Sequence, residues 1–184
     1  SPGGGEAKFC YAGVWRGGKP VAELTARRTR QYPVDFSFTS TFVEIVANDD
    51  VRAAANALLS SIAFEGLVEV EFKFDARDQQ YKVLDVNPRA WSWFALCEAS
   101  GANLAMVLYA AAMGQPAPAV AAAPGHAWIH TVRDIVSGLQ LMMRSDLTPV
   151  GYIRTLRQKL TFASFAWDDP VPGLVELPLT VWRV

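Results

Sequence analysis

The order of elements in the sequence is that of an α+β domain, a mainly antiparallel sheet with helices packed on it. Three observations predict it. Phe9 to Trp15 and Val21 to Arg27 alternate on either side of Gly17-Gly18, a pair that accepts the positive φ of a tight hairpin. A second ribbon lies in Leu67–Phe74 and Tyr81–Asn87, joined by the polar loop Asp75 to Gln80. Apolar residues then recur at helical spacing in Val51 to Phe64 and Trp91 to Met113.

Taken in order, the first hairpin is followed by a basic cluster, Arg27, Arg28 and Arg30. Pro33 ends that strand, because proline donates no ladder hydrogen bond. Phe38 to Val46 alternates again and reads as a third strand. Asn48-Asp49-Asp50 supplies an N-cap and an acidic first turn. Helical spacing through Ala54, Leu58 and Ile62 then runs until Gly66 breaks it. Pro88 stops the strand ending at Asn87, and the Ala-rich helix from Trp91 ends at Gly114. Residues 116–125 are Pro/Ala-rich and uncharged, a linker between a lobe at 1–115 and a helical C-terminal extension at 126–184 expected to pack on it. In that extension His126 to Arg144 reads as one helix. Its apolar side holds Ile129, Val132, Ile135, Val136, Leu139, Met142 and Met143. Thr148 to Phe162 reads as a further amphipathic stretch, and the residues from Asp168 onward as a Pro-punctuated surface tail.

Composition limits the function. The chain has 184 residues, 51% of them hydrophobic and 19% charged, so it builds a core and is not disordered. A net charge of −1 gives no electrostatic footprint for nucleic acid or an anionic membrane. Mean hydropathy is +0.14, yet the longest apolar run, Ala102 to Met113, is too short to span a bilayer. Cys10 and Cys97 have no metal spacing and read as reduced thiols of a cytoplasmic protein. The chain opens without Met at Ser1-Pro2-Gly3-Gly4-Gly5, which suggests a piece of a larger protein.

The chemistry lies in the second ribbon. Val68, Val70, Phe72 and Phe74 share one face, and Glu69, Glu71 and Lys73 the other. Pairing Phe72 with Leu84 and Val70 with Val86 joins the apolar faces. The same register sets Glu71 opposite Asp85 and Glu69 opposite Asn87. Like charges opposite one another cost up to about 1 kcal/mol, and a hard divalent cation removes that cost. Two carboxylates and an amide oxygen suit Mg²⁺ or Mn²⁺. Arg89, two residues on, suits a phosphate or carboxylate. From patterning alone the commoner reading also stands: a solvated strand face closed by an ordinary Asn-Pro terminator.

Glu71-Phe72, a loop, then Val83-Leu84-Asp85-Val86-Asn87-Pro88-Arg89 resembles the C-terminal lobe of the ATP-grasp superfamily. It is most similar to its carbamoyl-phosphate-synthase-like and biotin-carboxylase-like carboxylate–amine ligases. Arg27 to Pro33 followed by Thr39-Ser40-Thr41 and Glu44 is similar to the same group. The resemblance covers most of Phe9 to Gln115. It implies a sheet with helices on one face, with ATP and Mg²⁺ (or Mn²⁺) as cofactors. Glu71, Asp85 and Asn87 are implied as metal ligands, Glu71 and Asn87 also facing the nucleotide, and Arg89 as the catalytic contact to a transferred phosphoryl group. Asp85 stands where many members have glutamate. Arg28 and Arg30 are candidate contacts to ATP phosphates. The implied function is the ATP- and Mg²⁺-binding part of a carboxylate–amine (or thiol) ligase working through an acyl phosphate. The ATP-binding lobe, expected upstream in the same or a separate chain, completes the enzyme, and Pro2 to Glu6 resembles the loop just after it. This piece is not expected to be active alone. The implied partners are a nucleotide and a small carboxylate, and a homodimer is compatible with them. The alternative is a non-catalytic ATP-grasp-like binding or assembly module.

Other residues carry less. His126 and His130 lie four apart with no third ligand nearby and read as structural. Trp91 and Trp93 read as core packing or a pocket wall. No Ser-His-Asp or Cys-His arrangement is legible.

Overall fold

A computed structural model describes residues 8–35 and 39–182. The Gly-rich opening up to Glu6, and Phe38 of the expected third strand, lie outside the described residues. The first hairpin is β1 (Lys8–Arg16) and β2 (Lys19–Tyr32), turned by Gly17 at φ 59° and Gly18 at φ 65°. Then come β3 (Thr39–Ile45), β4 (Gly66–Asp75), β5 (Gln80–Asn87), β6 (His126–Ile129) and β7 (Lys159–Phe162). They form one seven-stranded sheet in the order β5-β4-β1-β2-β3-β6-β7. Only β6–β7 is parallel among these pairs. The α+β class with a mainly antiparallel sheet is therefore what the structure has.

The helices cover both faces of the sheet, where the expectation was one. The cause is β1. Cys10, Ala12 and Val14 point to one side, Tyr11 and Trp15 to the other, and all five are buried. Helix α1 (Asp49–Ser61) lays Val51, Ala55 and Leu59 on Tyr11, Trp15, Val68, Val70 and Phe72. Asn48 caps it, its Oδ1 accepting from Val51 N at 3.0 Å. On the opposite face α2 (Ala95–Ala99) and α3 (Leu104–Ala112) bring Leu96, Cys97, Leu104 and Val107 against Cys10, Ala12 and Val14. The single helix expected over Trp91–Met113 is thus two. Gly101, at φ 100°, breaks it, and Asn103 caps the second piece by accepting from Met106 N.

The extension also departs from its expected form. His126–Ile129 is a strand and not the start of a helix, because Ala127 and Ile129 bury beside Phe42 while Trp128 buries on the opposite face. That is period two, and it extends the sheet beyond β3. Helix α4 (Thr131–Met143) begins only after His130. The amphipathic stretch divides into α5 (Pro149–Thr155) and β7, and the Pro-punctuated tail holds a helix, α6 (Val171–Trp182). No helix among the described residues is long and apolar enough to cross a membrane.

One ion pair ties the extension to the hairpin. Arg30 Nε and Nη2 donate to the two oxygens of Asp134 on α4 at 2.8 and 2.9 Å, and Nη1 to Thr155 Oγ1 at 3.0 Å. Both charges are out of water, and the guanidinium lies over the rings of Phe42 and Tyr152. Removing one partner of such a pair strands the other and costs about 3–5 kcal/mol. Asp134→Ala is accordingly expected to lose that much stability in guanidinium unfolding, while Arg30→Met combined with Asp134→Leu loses far less. A loss from Asp134→Ala no larger than that of a surface pair removes this reading.

Candidate functional site

The site grows from the alternation of β4. Val68, Val70 and Phe72 are committed to α1, so Glu69, Glu71 and Lys73 stand on the other face. Beside them β5 sets Asn87 opposite Glu69 and Asp85 opposite Glu71, as the apolar register requires. A bulge follows between Glu71 and Phe72. Phe72 therefore faces Val83 where Leu84 was expected, and Leu84 is exposed. The bulge lies beyond the acidic pairs and leaves their register intact.

Each side chain then has a distinct setting. Glu69 is buried: its Oε1 accepts from Trp93 Nε1 at 2.8 Å and its Oε2 from Asn87 Nδ2 at 3.3 Å. That bond turns the Asn87 amide oxygen away from Glu69. Glu71 forms an ion pair with Arg28 of β2, reaching across Cys10 of β1. Asp85 is exposed and its Oδ1 accepts from Val86 N at 2.9 Å. Arg89 is exposed and donates to Ala90 O at 3.1 Å. Lys8 Nζ donates to Gln31 Oε1 at 2.6 Å.

The two arginines do not act together. A register shift between Arg28 and Arg30 pairs them with the adjacent residues Val43 and Phe42, so they leave β2 on opposite faces. Arg28 joins Glu71, and the Arg30 guanidinium is spent on Asp134. His126 and His130 are not on one helix: His126 is in β6, and His130 precedes α4 with Nδ1 at 3.0 Å from Glu176.

The electrostatics are tight. Burial, then the neighbouring Glu71 charge, raises the Glu69 carboxyl to about 7, against the pull of Arg28 and the Trp93 donor. Burial, then Arg28, lowers the Lys8 ammonium. Burial, then Glu69, pushes the Cys10 thiol well up, so it is an inert thiol. Among the described residues no group of three or more His, Cys, Asp or Glu side chains is gathered to hold a metal ion. The available donors are the carboxylates of Glu71 and Asp85 with the Asn87 amide oxygen. This set is all oxygen, on one face of two neighbouring strands, and its chemistry fits a hard divalent cation. Arg28 holds Glu71 in this structure. Sequence reasoning missed Trp93 as the donor that fixes Glu69. The available signal was an indole only four residues past Arg89, which needs an acceptor once buried.

No family model matches the sequence, and no curated protein sequence matches it. Solved structures align with part of the chain. The urea carboxylase of Kluyveromyces lactis is 19% identical over 65% of this chain and 11% of its own, with a TM-score of 0.48. The ATPase subunit of phosphoribosylaminoimidazole carboxylase from Aquifex aeolicus is 14% identical over 61% of this chain and 36% of its own, with a TM-score of 0.48. A chain described as an ATP-grasp superfamily protein of Archaeoglobus fulgidus is 12% identical over 61% of this chain and 36% of its own, with a TM-score of 0.39. The present chain spans only a minor part of each.

The raised Glu69 carboxyl carries a signed pH dependence. An unfolded glutamate titrates near 4, so between about 4 and about 7 the folded chain holds a proton that the unfolded chain releases. Stability tied to this group is full below about 4, is lost as pH rises to about 7, and is level above. Glu69→Gln is expected to remove that slope, a difference on the order of 3 kcal/mol between pH 4 and pH 8 in urea unfolding. Parallel stability–pH curves for the two proteins count against it.

Proposed function

We propose that this chain is the Mg²⁺- and nucleotide-binding lobe of an ATP-dependent carboxylate–amine (or thiol) ligase, acting with a second, ATP-binding lobe. The observation that carries the reading is the facing of Glu71 by Asp85 and of Glu69 by Asn87 on the side of the sheet away from α1. The sequence resemblance through Asn87-Pro88-Arg89 supplies the class of reaction. Glu71, Asp85 and the Asn87 oxygen would hold the metal. Mg²⁺ bound there would neutralise the phosphate oxygens of ATP. Arg89, exposed just past the strand, steadies the phosphoryl group as it passes to the substrate carboxylate. ADP leaves in that step. The amine or thiol then attacks the acyl carbon and expels phosphate. Trp93 and Glu69 take no part in bond making; they hold the Asn87 amide. Arg28 would share Glu71 with the metal.

The Arg28–Glu71 pair favours a second reading, a lobe of this architecture that serves binding or assembly without catalysis, because a resident cation already offsets the carboxylate.

Calorimetric titration with Mg²⁺ and a non-hydrolysable ATP analogue, on the protein with its ATP-binding lobe, tests the first. Binding is expected to weaken at least about tenfold in Asp85→Ala and in Asn87→Ala. Asn87→Ala is also expected to abolish ADP release while the circular dichroism stays native. Mg²⁺-dependent binding unchanged in both variants ends the metal reading, and binding without ADP release in the parent assigns the module.

A further inference from the structure

The side of the sheet that carries the acidic pairs also carries a row of cations. The register sets Lys8 of β1 opposite Lys73 of β4, and Lys73 opposite Lys82 of β5. Directly paired residues share a face, so all three lysines stand on the face of Glu71, one step of its alternation further along β4. Neighbouring strands lie about 4.8 Å apart, so the three side chains start within about 10 Å of one another. Like charges directly opposite on adjacent strands destabilise a sheet, and here two such pairs follow in succession.

The neighbouring acids do not neutralise this row. Glu71 is paired with Arg28, and Asp85 accepts from Val86 N. Asp75, on the other side of Lys73, is held by Arg77 at 2.6 and 2.9 Å. Lys82 turns to Asp78 of the connecting loop, an exposed pair of the kind worth little. Lys8 donates to the neutral Gln31. Lys73, at the centre, is half-buried and makes no hydrogen bond or ion pair among the described residues. Two cations of one sheet face thus stand beside carboxylates that are engaged elsewhere.

We propose that Lys8, Lys73 and Lys82 form an anion subsite beside the oxygen donors of Glu71, Asp85 and Asn87, and that its ligand carries a phosphate group. Ammonium groups bind phosphate as point charges, without the planar fork that matches arginine to a carboxylate. A phosphate ester brings a charge of about −1.5 to −2 and three acceptor oxygens, one for each lysine. A carboxylate brings a single charge and two oxygens. Glu71 and Lys73 are about 7 Å apart along the strand, a span that a polyphosphate reaching toward the metal donors can bridge. The subsite needs no metal and so goes beyond the ligase reading. Its phosphate is that of a nucleotide or of a phosphorylated substrate.

Calorimetric titration of the 184-residue chain with pyrophosphate, in metal-free buffer at low ionic strength, tests this. The unaltered chain is expected to bind. Binding is expected to weaken at least about tenfold in Lys73→Met and in Lys8→Met, each losing a charge-assisted contact. Lys19→Met and Lys159→Met, at the first hairpin turn and on β7, are expected to bind as the unaltered chain does. Asp85→Ala is expected to bind pyrophosphate undiminished without metal, which keeps a failure of the metal reading apart from a failure of the subsite. Pyrophosphate is also expected to raise the melting temperature of the unaltered chain and not that of Lys73→Met. Should Lys73→Met fail to fold, Lys8→Met and Lys73→Gln decide. ADP that displaces pyrophosphate assigns the phosphate to a nucleotide, and ADP bound together with pyrophosphate assigns it to the substrate. An unaltered chain that does not bind pyrophosphate overturns the proposal. So does a loss in Lys159→Met equal to that in Lys73→Met, the mark of diffuse surface charge.

Discussion

Cys10, Ala12 and Val14 leave β1 on one side and Tyr11 and Trp15 on the other, and none of the five meets water. A strand apolar on both faces has to sit inside a sheet and be covered twice. Its neighbours β2 and β4 flank it, α1 covers one face, and α2 with α3 covers the other. The hydrophobic gain from a side chain of this kind is about 1.5–3 kcal/mol when fully buried. Two stacked layers on one strand thus outweigh any single polar contact at the sheet's margins. Charge is displaced to where coverage ends, the outer part of β4 with β5, and the Glu69–Asn87 and Glu71–Asp85 pairs lie there.

Two carboxylates at alternate positions of one strand, Glu69 buried and Glu71 largely so, repel each other. The fold offsets them by different means. Glu71 takes the Arg28 guanidinium, and Glu69, with no cation of its own, is pushed toward its protonated form while Trp93 and Asn87 hold it in place. An arriving divalent cation would meet in Glu71 a carboxylate that must exchange partners.

The strands of the first hairpin and the β4–β5 ribbon were legible because each has one face committed to apolar contact, which fixes parity from sequence alone. The acidic pairs followed from that parity, and they were found. The helices on the second face were not placed, since the alternation of Phe9, Tyr11, Gly13 and Trp15 drew the reading to one side while Cys10, Ala12 and Val14 were equally apolar. The bulge between Arg28 and Arg30 left no sequence mark, because nothing in Arg28-Thr29-Arg30 demands an extra residue. It is set by partners more than a hundred residues away, Asp134 and Thr155. His126 to Ile129 misled for a related reason: four residues are too few to separate period two from period 3.6.

Helix α4 shows how a long-range partner can overrule a local pattern. Its apolar stripe reads from sequence as the side that meets the core, and burying that stripe would gain several side chains' worth of transfer energy. Yet the sheet presents Arg30, a charge with no exit to water, at the spot where α4 lands. Meeting a buried guanidinium with apolar side chains leaves it uncompensated, at a cost of about 3–5 kcal/mol, and Asp134 meets it instead. Asp134 therefore decides which way the helix faces, and the stripe is turned outward as a consequence. The residue that closes the core on the inside creates the unpartnered surface on the outside.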